Sequence, residues 1–140
     1  MSGVIHVIAV IKPAPGKLNA VGLPPCQNTA QMEGQPCMIE DMLTKEKKKV
    51  LDAIKPFSEY VAAHEPGVLL YQYFTRKHND GTEDIVLLEQ YQDVAALETH
   101  KKSEAAGIMF KAFGKPGILA AKPDIKVLKP AGGVAFRGKL

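Results

Sequence analysis

The chain has no tryptophan, only two cysteines, no apolar run near the length of a membrane span, and no glycine-rich loop following a strand. Each absence closes a class of function. About 20 continuous apolar residues are needed to cross a bilayer, so no spanning helix is expected. Cys26 and Cys37 have ten residues between them and lack the paired C-x-x-C spacing of a zinc site. No histidine and carboxylate spacing resembles H-E-x-x-H or a facial triad, so no metal is expected. Without a phosphate-cradling loop, neither a nucleotide nor a flavin is expected. The formal charge of +3 comes from lysines scattered along helices and the C-terminal end, not from one basic and aromatic stripe. Nucleic acid is therefore not an expected partner. The opening "MSGVIHVIAVIKPAPG" lacks a basic n-region and a small-residue cleavage site, which gives a cytoplasmic location, without a membrane partner, as the expectation.

What remains is a chain of 140 residues, 46% hydrophobic and 24% charged, enough for a single domain with one core. Val4 to Lys12, "VIHVIAVIK", is rich in β-branched residues and apolar on both alternating faces apart from His6, for which a buried structural role is expected. "PAPGK" ends that strand. From Lys45, Val50, Leu51, Ile54, Phe57, Tyr60 and Val61 recur at helical spacing, with Pro56 inside the helix and "HEPG" closing it. "VLLYQYFTR" and "IVLLEQY" read as strands joined by a hairpin at "KHNDGTED". Asp93 and Ser103 are N-cap types before two helical runs, and "DIKVL" from Asp124 alternates as a last strand. Strand, helix, strand, strand, helix, strand is the split βαβ order of an α+β, ferredoxin-like fold, an antiparallel sheet with its helices on one face. Because strands one to three are apolar on both faces, something must cover the second face, and the simplest cover is the same sheet from a second copy. A homodimer is expected.

Residues 18–44 fit none of this. They show no sustained period and carry three prolines and many amides, and a structureless loop of that length is unusual in a compact domain. A lid over a pocket and an insertion that the fold tolerates both remain open.

The polar residues near "LEQYQDVAALETHKKSEA" are the candidates for chemistry. His100 follows Val94 and Leu97 on a short helix; it is either a satisfied, partly buried histidine or a cavity group. Glu89 and Tyr91 share a strand face with Ile85 and Leu87, where a carboxylate is costly unless paired. Glu89 either orients His100 or accepts a hydrogen bond at a sheet edge. Tyr71 and Tyr73 share a face. They and Phe57, Tyr60, Phe110 and Phe113 read first as core, and as a group they could line a pocket for a flat aromatic substrate.

"VIHVIAVIKPAPGK", "IKPFSEYVAAHEPGVLLYQYF", "IVLLEQYQDVAALETHKKSEAAGIMFKAF" and "KPDIKVLKPAGG" together resemble the antibiotic biosynthesis monooxygenase (ABM) family of dimeric α/β-barrel proteins. The resemblance implies a monooxygenase that oxidises a small, electron-rich aromatic, anthrone- or quinol-like, with O2 as co-substrate and no cofactor. With that function, His100 and Glu89 are the expected catalytic residues, and Tyr91, Tyr73, Tyr71, Tyr60, Phe57, Phe110 and Phe113 the expected substrate-binding ones. Other branches of the family degrade haem or isomerise or cleave small carbonyl compounds, so an oxygen-independent isomerase, cyclase or lyase is one alternative, and a barrel that only binds a hydrophobic metabolite is the non-catalytic one. Two departures stand out. Some oxygenases of the family position substrate with a cavity tryptophan, which this chain lacks. Relatives also run almost directly from the first turn into the first helix, so residues 18–44 read as foreign to the ancestral fold, an insertion or even translated intron sequence.

Overall fold

The β-branched run "IHVIAVI" forms strand β1, Ile5–Ile11. The computed structural model describes residues 3–15 and 38–133, and the elements after β1 are α1 (Met38–His64), β2 (Val68–Lys77), β3 (Glu83–Tyr91), α2 (Val94–Lys102), α3 (Glu104–Phe113) and β4 (Asp124–Leu128). The sheet is antiparallel with strand order β2-β3-β1-β4, the ferredoxin-like arrangement. Helix α1 begins at Met38, seven residues before the start that the sequence period suggests. The segment 38–44 is therefore helical rather than irregular. The rest of the expected insertion, residues 18–37, lies outside the described residues. Pro56 is carried inside α1, and the Ser58 hydroxyl donates to the Lys55 carbonyl just before it at 3.0 Å.

Register decides which face each side chain takes, because successive strand residues point to opposite sides. Val7 lies opposite Glu89 and Val127, and Ala9 opposite Leu87 and Ile125. These residues, with Ile11, Ile85, Tyr71 and Tyr73, make the helix-side face. On α1, Val50, Ile54, Phe57 and Val61 recur every three or four residues and press onto it, as do Ala106, Met109 and Phe113 of α3. One contiguous core results.

The opposite face carries His6, Ile8, Val10, Val86, Leu88 and Phe74, none of them fully buried. His6 is thus half-buried on an open sheet face rather than enclosed in the core, because even-numbered residues of β1 point away from the helices.

Two caps fix where the short helices start. Asp93 accepts from the Ala96 N–H at 2.8 Å. The Ser103 hydroxyl accepts from the Ala106 N–H at 3.2 Å and donates to the His100 carbonyl at 3.0 Å, so a single extended residue separates α2 from α3. The β2–β3 hairpin turns at Gly81, whose φ of 85° suits a residue without a side chain.

Candidate functional site

His100 lies on the last turn of α2 and is 7% exposed. The N-cap at Asp93 sets the phase of this short helix, and the chain turns sharply at Ser103, so the imidazole points inward onto the sheet. Three aromatic rings surround it: Phe57 at a centroid distance of 4.9 Å, Tyr91 at 5.1 Å and Tyr71 at 5.5 Å. Its Nδ1 is 2.6 Å from Oε2 of Glu65, which is also 7% exposed. Both groups are thereby removed from water, where a charge-assisted hydrogen bond is strongest.

The sequence reading did not single out Glu65. It belongs to "HEPG", where the motif looks like a helix stop and nothing more. Its signal was that an acidic residue at a helix C-terminus opposes the macrodipole and needs another reason to be there.

Glu89 has a different partner. Its Oε2 accepts from the Tyr91 hydroxyl at 2.6 Å. Since β3 is an inner strand of the sheet, this carboxylate stands in the middle of the sheet and not at an edge. Burial pushes the Glu89 carboxyl up from its ordinary value, offset in part by the Tyr91 hydrogen bond and the nearby His100. Burial, followed by the Glu89 charge, pushes the Tyr71 and Tyr91 phenols up as well, so both stay neutral hydrogen-bond donors. The Tyr71 hydroxyl is buried and has no hydrogen-bond partner among the described residues; the same holds for Oε1 of Glu65.

His100, Glu89, Tyr91 and Tyr71 border a cavity of about 270 Å³ between the helix-side sheet face and helices α2 and α3. His100, Glu89, Tyr91, Tyr71, Phe110 and Phe113 line it, with apolar walls from Val7, Ala9, Leu87, Leu97 and Met109. Towards solvent the walls are Phe110, Ile125 and Val127, all substantially exposed. Lys101 also borders the cavity and pairs with Glu98 at 3.1 Å.

Three of the aromatic candidates stand apart from the wall. Phe57 is buried beneath His100 and Tyr71 and supports both rings. Tyr73 packs against the core from the same sheet face. Tyr60 stacks on the His64 ring, 4.6 Å away at 20°. Among the described residues, no group of three or more His, Cys, Asp or Glu side chains is arranged to hold a metal ion, and no helix is long and apolar enough to cross a membrane.

The arrangement offers a buried imidazole held by a carboxylate, a buried neutral phenol without a partner among the described residues, and an apolar slot that both residues line. Such a site can take a proton from a weakly acidic C–H or O–H and hold the resulting oxyanion away from water.

A family model described as antibiotic biosynthesis monooxygenase matches residues 44–112. Among solved structures, the chain is similar to a candidate antibiotic biosynthesis monooxygenase from Caulobacter crescentus, with 21% identity over 94% of this chain and 92% of that one and a TM-score of 0.63. It is also similar to a protein from Mycobacterium tuberculosis, with 20% identity over 95% of this chain and 100% of that one and a TM-score of 0.53. A third similar structure is a dimeric protein of unknown function and ferredoxin-like fold from Bacteroides fragilis, with 10% identity over 92% of this chain and 99% of that one and a TM-score of 0.56. At these identities the structural matches establish the fold. A comparison with curated proteins returned no match.

Proposed function

Since the chain belongs to the antibiotic biosynthesis monooxygenase domain family, we propose that it is a cofactor-independent monooxygenase acting on a small, electron-rich aromatic of the anthrone or quinol type. The observation that carries this reading is the buried His100 imidazole on the wall of an apolar, aromatic-lined cavity.

For an anthrone-like methylene the steps balance without an external reductant. His100 removes a proton from the activated carbon, and the Tyr71 hydroxyl donates to the ring oxygen as it gains charge. The carbanion passes one electron to O2, and the caged radical pair recombines to form a C–O bond. The peroxide takes up the proton that His100 holds. Loss of the second C–H proton with cleavage of the O–O bond expels water and leaves a carbonyl, so CH2 and O2 become C=O and H2O. An apolar, water-poor cavity protects the carbanion from reprotonation. Glu89, fixed by Tyr91, and the rings of Phe110 and Phe113 orient the substrate.

The functional unit in this reading is a homodimer. The sheet face away from the helices bears Ile8, Val10, Val86 and Leu88 in its middle and the exposed Phe74 on β2, a surface whose burial against a second copy removes apolar area from water.

The test is oxygen uptake by metal-stripped protein offered anthrones and hydroquinones, wild type beside His100→Ala, under ¹⁸O2. Uptake matched by ¹⁸O in the product carbonyl, lost in the folded variant, supports the oxygenase. Anaerobic turnover of an enolisable substrate that also depends on His100 moves the assignment to an isomerase or lyase. Tight binding with no turnover at all moves it to a binding protein.

A further inference from the structure

We infer that the Glu65-Pro66-Gly67 turn is the second half of the active centre: Glu65 is a positioning residue that fixes the tautomer of His100, and Gly67 sets the distance between them. The inference rests on the reading of His100 as the base, but its structural part can be tested without turnover.

The geometry is specific. Glu65 closes α1, where its N–H donates to the Val61 carbonyl at 3.0 Å, and its own carbonyl accepts from the Val68 N–H at 3.0 Å as β2 begins. The backbone is thus tied on both sides, and Pro66 restricts the turn between. The Glu65 carboxylate then reaches Nδ1 of His100 at 2.6 Å. If Nδ1 carries the proton, it donates to Glu65, and Nε2, which has no partner among the described residues, keeps a free lone pair on a side chain that lines the cavity. That is the tautomer a base needs, and the carboxylate stabilises the imidazolium formed when the substrate proton arrives.

Gly67 explains how the two residues come so close. A methyl group at position 67 would lie 2.7 Å from Cβ of Ala96 and 3.5 Å from the Gln92 side chain. Real side chains do not tolerate the first distance, so the absence of a side chain lets the start of α2 settle on the turn. The contact is pinned by the Gln92 N–H, which donates to the Gly67 carbonyl at 2.9 Å. Ala96 and His100 are four residues apart and lie on the same side of α2. The close approach at Gly67 therefore delivers His100 one turn later to Glu65.

The carboxylate also has a feature that packing alone does not account for. Its Oε1 is buried without a partner among the described residues. Buried polar atoms are mostly paired, so an unpaired oxygen here calls for a role beyond packing.

The first measurement is the ¹⁵N NMR spectrum of the neutral His100 imidazole in the wild-type chain. A protonated Nδ1 and a bare Nε2 are expected; a protonated Nε2 overturns the assignment whether or not any substrate is oxidised. Glu65→Gln preserves volume and removes the charge. It is expected to lower kcat by up to about 10⁴-fold, the cost of making the carboxylate that orients a histidine base an amide, with KM within about twofold, since only the step using the base is affected. Glu65→Asp should recover part of the loss. An unchanged kcat in Glu65→Gln, or a loss appearing in KM alone, overturns the role. Gly67→Ala tests the spacing with Glu65 intact: it should abolish the Nδ1 signature and lower kcat together. A folded Gly67→Ala protein that keeps both overturns the part assigned to Gly67.

Discussion

Removing the Tyr71 hydroxyl should make the protein more stable and its site worse. In Tyr71→Phe the ring keeps its edge contact with Phe57 at 5.6 Å and its contact with His100 at 5.5 Å, so packing is largely conserved. What disappears is a buried oxygen that has no hydrogen-bond partner among the described residues. An unsatisfied buried polar group costs about 1–3 kcal/mol, and the small void left by one oxygen returns part of that. A net gain of about 1 kcal/mol is expected, raising Tm by about 3 °C for a chain of this size. Tyr91→Phe is the internal control. Its hydroxyl donates to Glu89 at 2.6 Å, and loss of a hydrogen bond to a charged group costs about 1.5–3 kcal/mol. The two Tyr→Phe substitutions, two positions in one cavity, should therefore shift stability in opposite directions. Urea denaturation of ligand-free protein at a fixed protomer concentration measures both. In the same Tyr71→Phe protein, affinity for an aromatic ketone or quinone should fall about 3- to 10-fold, since one neutral hydrogen bond contributes about 0.5–1.5 kcal/mol. A Tyr71→Phe protein destabilised by 1 kcal/mol or more, on the order of the loss of a made hydrogen bond, would refute the reasoning, because the hydroxyl would then have a partner.

The ionisable groups and the open sheet face give further tests. Tyr71 and Tyr91 both have phenols held above the ordinary value of about 10. The unfolded chain releases these protons first, so stability present below pH about 10 should be lost above it. Thermal melts should show that loss becoming shallower in Tyr71→Phe. Glu89 is raised as well, so its contribution is fully present below the unfolded carboxyl pKa and is lost as pH rises through the folded one. Glu89→Gln, which keeps an acceptor for Tyr91, should equal or exceed wild type in Tm at pH 7, with the difference vanishing towards pH 4; a less stable variant at pH 7 contradicts the sign. Ile54 is fully buried in the core, and Ile54→Ala should cost about 2–5 kcal/mol by equilibrium denaturation. Leu88→Arg places a charge in the middle of the face opposite the helices and should convert the proposed dimer to monomers by light scattering; a dimeric mass kept in the variant argues for a different interface.

The elements were legible because each is written in a local period. Val50, Ile54, Phe57 and Val61 announce α1 by their spacing, and the same residues form its buried stripe. Asp93 and Ser103 announce helix starts by their side-chain chemistry, and both accept the N–H three residues on. The start of α1 was less legible because the apolar period of its first turns is short and follows a stretch rich in proline and glycine. Face assignments held within a strand, where alternation is strict, as for Tyr71 with Tyr73. They could not say which carboxylate meets His100, because that depends on how α2 rests on the α1–β2 turn, a contact across 35 residues of sequence.

The same limit explains the aromatic candidates. Phe57, Tyr60, Phe110 and Phe113 all lie on helices that pack on the sheet, but helix phase alone does not give depth. Phe57 ends beneath the imidazole and Tyr60 over His64, while Phe110 and Phe113 reach the cavity. Local pattern thus specifies the scaffold, whereas the site arises where elements distant in sequence meet. Such meetings leave only indirect marks in the sequence, as a residue that breaks a local rule for no local gain. Glu65 is one, an acid at the wrong end of a helix. Gly67 is less visible still, because its place in the helix stop accounts for it locally and its contact with α2 does not show in the sequence.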